Sequence, residues 1–177
     1  AGYYQNSVIF QRDILETGFL LDYFSIDPSK ISDWRNCNSR DRRINYRPKV
    51  IRDGLNVRDG IVESKRDEIY KLMCERAAHP TFPGFGLIAP KGLGKIGPFY
   101  NLTFLIGIFK ELAKWVPLYT YKYIIHFKNL PNKLLNIKNK FLNEINTWAK
   151  KYINLDLSII DTGKLKAWVD STIIYKR

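Results

Sequence analysis

Two short stretches carry residue types that can do chemistry. Gly92-Leu93-Gly94-Lys95-Ile96-Gly97 spells G-x-G-x-x-G, and Arg76 stands three positions before His79 in CERAAHPTF. The glycine pattern holds a dinucleotide only where it turns a buried strand into a helix, so that free amides meet the pyrophosphate. Here GFGLIAPK precedes it and leaves at most Leu87-Ile88-Ala89 as strand, while Glu111 is the sole acidic residue over 111 to 119, where a ribose ligand is needed. A phosphate-binding P-loop would need Gly at Ala89 and Ser or Thr at Ile96. The glycines therefore read as loop geometry, and no cofactor is expected. A simpler anion site remains open at Lys91 and Lys95, ahead of a helix starting at Pro98, because a helix N-terminus carries partial positive charge.

Residues three apart share a helix face, so Arg76 and His79 can converge. The alternative for His79 is a helix-terminal cap. Arg12 and Glu16 lie one turn apart, either as a mutual ion pair inside a bundle or lining a polar cleft with Tyr70, Arg76 and His79. His126, among Tyr123, Ile124, Ile125 and Phe127, reads as a packed residue satisfying a core hydrogen bond. Two histidines and two distant cysteines, Cys37 and Cys74, offer no metal-ligand spacing, and the cysteines read as reduced thiols of a cytoplasmic protein.

The elements that must position these residues are helical. Residues 6 to 26 are apolar around most of a helical wheel, as in the centre of a bundle. Asp27-Pro28 then starts a second helix carrying Ile31, Trp34 and Arg35. The Arg- and Asn-dense run 35 to 47 reads as a loop, either solvated or phosphate-binding. Two Asp-Gly turn signals allow only a short helix over 49 to 60. Helical spacing over 62 to 79 is closed by Pro80, and 80 to 98 reads as a long Gly/Pro-rich loop. A helix from Pro98 kinks or ends at Pro117 and resumes over 119 to 127. After Pro131, Leu134, Ile137, Phe141, Ile145, Trp148 and Tyr152 form one unbroken face. Residues 155 to 160 are a candidate strand, and Asp161 or Thr162 can cap a terminal helix. The expected fold is all-α: a single-domain bundle of about six or seven helices spanning 1 to 177, whatever preceded Ala1.

RDILETGFLLDYFSIDPSKISDWR, IYKLMCERAAHPTF, the Gly/Pro loop and the apolar helix beyond together resemble bacterial all-helical proteins related to the HEPN superfamily and to abortive-infection factors. The resemblance covers about residues 8 to 115. It implies an RNA-directed defence or toxin-like effector in which His79 is the base, Arg76 its catalytic partner, and Arg12 and Glu16 touch phosphate; Tyr70 of the polar cleft and Lys91 and Lys95 of the loop complete the candidate binding residues. HEPN ribonucleases place four to six residues between Arg and His; this chain places two.

Composition speaks for a different class. Of 177 residues, 29 are basic and 17 acidic, a net charge of +12, which favours an anionic partner such as nucleic acid or an acidic protein. Nine Lys and two Glu over 110 to 151, with the Arg-rich run 35 to 47, suit a non-catalytic interaction or assembly module. An apolar helix face also allows a homodimer. The longest apolar run, Phe99 to Phe109, is well short of the roughly 20 residues that cross a bilayer, so no membrane partner is expected.

Overall fold

The computed structural model describes residues 3–62, 65–78, 80–95, 97–154 and 156. These form eight α-helices and, among the described residues, no strand. They are α1 (Tyr4–Ile26), α2 (Ser29–Asn36), α3 (Ser39–Asn45), α4 (Pro48–Asp59), α5 (Lys65–Met73), α6 (Phe82–Gly86), α7 (Leu102–Ile124) and α8 (Asn132–Ile153). The expected all-α class holds. The candidate strand at 155 to 160 and the terminal helix fall, apart from Asp156, outside the described residues.

The framework is a parallel pair, α1 beside α7, with residues about one hundred apart in sequence brought together. At one end the Tyr4 hydroxyl donates to the Asn101 carbonyl (3.2 Å) and accepts the Asn101 amide (2.8 Å). At the other, His126 bonds the Leu21 carbonyl through Nε2 (2.9 Å), the packed role its surroundings suggest. Between them Gly18 allows close approach: a Cβ there would lie 2.0 Å from the Tyr119 ring. Because α1 is apolar on nearly all sides, it buries Val8, Leu15 and Phe19 against Trp115 and Leu118 of α7, Ile51 and Leu55 of α4, and Met73 of α5.

Several boundaries differ from the expectation, each for a local reason. The run 35 to 47 is not all loop, since Ser39–Asn45 form α3 with the Asn38 side chain capping the Asp41 amide (2.9 Å). The first Asp-Gly pair lies inside α4: Gly54 faces Tyr23, whose ring would be 2.6 Å from a Cβ, and only Gly60 ends the helix in left-handed backbone (φ 63°). The loop 80 to 98 contains α6, capped by Thr81 at the Gly84 amide (3.1 Å), and a 3₁₀ turn at Pro90–Gly92. Pro98 does not start α7; Asn101 caps it at the Phe104 amide (3.1 Å). Pro117 neither ends α7 nor splits it, because Trp115, Leu118 and Tyr121 on both sides of it are buried in the same core.

Candidate functional site

Three of the residues singled out in the sequence meet where α1 crosses α5. Arg12 Nε lies 3.2 Å from Glu16 Oε1, an ion pair whose angle is too poor for a directional hydrogen bond. Tyr70 of α5 stands beside Glu16: burial, then the Glu16 charge, push its phenol up to about 12. The Tyr70 ring also carries the Arg52 guanidinium 3.9 Å from its centroid, and Arg52 Nε donates to Asp67 (2.6 Å). The arrangement is thus a chain of alternating charges around one aromatic ring, with Arg12 and Glu16 each about one quarter exposed. A phenol held protonated is no general base near neutrality.

Arg76 belongs to a π-helical turn, Cys74–Ala78, that continues α5. It is half-buried, and its carbonyl abuts Gly84 of α6. His79 lies outside the described residues, so its relation to Arg76 and to the Arg12–Glu16–Tyr70 group is not part of this geometry. Lys91 and Lys95 are both exposed. Lys95 sits over the Phe99 ring at 5.5 Å, and Lys91 takes left-handed backbone at the 3₁₀ turn. At the start of α7 the Asn101 side chain accepts the Phe104 amide. The glycine motif contributes a 3₁₀ turn and two positive-φ residues, Gly92 and Gly97, and no strand enters it.

A second polar centre was not legible in the sequence. Asp22 of α1, 3% exposed, faces Lys122 of α7 (3.0 Å) and Arg58 of α4 (3.0 Å). Arg58 also holds Asp59 (2.7 Å), which pairs with the fully buried Arg66 of α5, and Arg66 donates to Asn56 Oδ1 (2.8 Å). Burial opposes ionisation of Asp22, yet the Arg58 hydrogen bond and the charges of Lys122 and Arg58 together hold its pKa below the usual carboxylate value. The neighbouring Tyr119 phenol is pushed well above its ordinary value, by burial first and the Asp22 charge second. This network ties four helices together. Its sequence signal was only that Asp22 and Lys122 interrupt otherwise apolar helix faces.

The third feature is an arginine elbow formed by α2, α3 and the start of α4. Arg42 staples it: its guanidinium donates to the carbonyls of Trp34 (3.1 Å), Arg35 (3.3 Å) and Cys37 (2.9 Å) and stacks on the Trp34 indole (5.6 Å). Arg35, Arg40, Arg43 and Arg47 are exposed, and no ion pair or hydrogen bond engages their side chains among the described residues. They differ in this from Arg12, Arg42, Arg52, Arg58 and Arg66. The α8 lysines are also largely exposed, with Lys140 near Glu144 (3.9 Å) and Lys150 on Asp156 (2.7 Å).

Among the described residues no group of His, Cys, Asp and Glu could hold a metal ion, and no helix is long and apolar enough to cross a membrane. Cys37 and Cys74 are free thiols. Compared with protein-family models, curated proteins and solved structures, the chain matches none.

Proposed function

We propose that this chain is a cationic helical module that binds the phosphate backbone of nucleic acid through the arginine elbow at α2 to α4, without catalysing a reaction on it. One observation carries the reading: Arg35, Arg40, Arg43 and Arg47 stay exposed and unpaired while the arginines of the core are tied to carboxylates, carbonyls or rings. A guanidinium fork matches phosphate oxygens bidentately, and such contacts supply affinity with little sequence preference. The Arg42 staple keeps the surrounding backbone fixed, so less freedom is lost on binding. The same surface suits an acidic protein less well, because Ile31 and Ile44 are its only large apolar contributions.

The test is fluorescence anisotropy with a labelled RNA oligonucleotide and a DNA duplex of the same sequence across a salt series. Binding should weaken linearly in log–log form, and the double variant R40A/R43A should flatten the slope by about 2, close to one for each lost phosphate contact. Absence of binding at low salt, or a slope unchanged in the variant, removes the reading.

A second reading is an RNA-directed effector of bacterial defence or toxin type, with His79 as base and Arg76 as phosphate ligand. What favours it is the π-helical turn directly before His79, since such turns recur at functional sites. It requires RNA cleavage by the folded protein that is lost in both His79→Ala and Arg76→Ala; binding without cleavage leaves the first reading alone.

A further inference from the structure

Helix α7 is apolar on two sides. One side, with Trp115, Leu118 and Tyr121, is buried against α1 and the core. On the other, Ile106, Phe109, Ala113, Val116, Thr120 and Tyr123 recur at intervals of 3, 4, 3, 4 and 3, the heptad spacing of a helix seam that faces another helix. Within the described residues its Tyr123 ring meets Phe127 (5.0 Å), and the seam is otherwise largely open. Ile106 is 44% exposed, Phe109 62%, Val116 46% and Tyr123 51%. Val116, Thr120 and Tyr123 border a groove of about 570 Å³ between α7 and α1, whose far wall includes Phe10, 66% exposed, and Asp13.

We propose that the seam is the interface of an antiparallel homodimer in which α7 packs against α7 of a second copy. The spacing fixes the register. If Ala113 lies opposite the partner's Val116, then Phe109 falls opposite its Thr120 and Ile106 opposite its Tyr123, so the set of six closes on itself under a two-fold axis. Each layer pairs a larger side chain with a smaller one. Phe109 is delivered to the groove that Thr120 borders, so each copy offers both a protruding ring and the hollow to receive it, as an isologous interface requires.

Area supports the pairing. Five large side chains about half exposed, three of them aromatic with roughly 150–250 Å² to cover when whole, amount to about 400–600 Å² per copy. That stands at the upper end of the apolar patches monomers expose and near the low end of specific interfaces, about 600 Å² per partner. The proposal is independent of nucleic-acid binding, because the arginine elbow lies on α2 to α4.

The test is sedimentation velocity on the full chain over a concentration series, with Phe109→Glu, with Val57→Glu as a control on exposed α4, and with circular dichroism of each. The wild type and V57E should dimerise, and F109E should weaken the dimer by about thirtyfold or more while keeping its helical signal. Single cysteine variants then read the register. F109C mixed with T120C should give a cross-linked dimer under mild oxidation, and F109C alone should not. A wild type that stays monomeric at all concentrations overturns the proposal. So does a dimer that persists in F109E or cross-links through F109C alone, and if F109E loses its helical signal the cysteine pair decides.

Discussion

At the scale of the residue, the polar side chains divide into those whose partner is near in sequence and those whose partner is far. Arg12 and Glu16, one helical turn apart, were legible as an ion pair, and the addition of Tyr70 was among the readings their spacing allowed. Asp22 with Lys122 was not, because nothing local marks a partner one hundred residues away. Asp22→Asn should destabilise the protein by about 3–5 kcal/mol in urea or thermal unfolding, since it leaves Lys122 and Arg58 without their shared buried counter-charge. The depressed pKa of Asp22 sets a direction in pH. Its contribution is full above the ordinary carboxylate range near pH 4 and is lost as pH falls through the lower folded-state value. Acid unfolding of D22N should therefore be shallower than that of the wild type. Tyr70 runs the other way: its phenol stays protonated up to about 12 in the fold, so its contribution is present below pH 10 and fades as pH rises from there. In an ultraviolet tyrosinate titration Tyr70→Phe should remove one late-ionising phenol and leave the others in place.

At the scale of the element, long amphipathic helices were readable and short ones were not. α1 declared itself by apolar residues around most of a helical wheel, and α8 by one unbroken periodic face. α3 and α6 are too short for periodicity to show, and hold together through particular side chains: Asn38 and Arg42 for the first, Thr81 for the second, whose hydroxyl also bonds the Glu75 carbonyl. Arg42→Ala should thus cost about 1–2 kcal/mol and weaken nucleic-acid binding although Arg42 itself is not among the exposed arginines. Gly54 was misread in the same way, as a turn former, where it, like Gly18, is a close-approach site. Gly18→Ala gains helix propensity but forces the Tyr119 ring away from α1, so it should lower stability by about 1–3 kcal/mol despite the favourable propensity change. Gly60→Ala, with open space around it but left-handed backbone, should cost about 1 kcal/mol through strain alone.

At the scale of the whole molecule, the all-α class was written in the helical periods and the absence of strand patterns. How the helices are arranged was not, since α1 meets α7 in parallel only after five other helices have been threaded between them. That arrangement bears on how the protein is made. A nascent chain displays α1 long before α7 exists, and at about 5–20 residues per second the wait for its partner lasts roughly 5–20 s. For that interval a helix apolar on nearly all sides has nowhere to bury itself, and α4 and α5 cover only part of it. Release from the ribosome before Ile124 would leave a product that cannot close. Early truncation fragments should accordingly be captured by holding chaperones and resist refolding, while chains that include α7 fold.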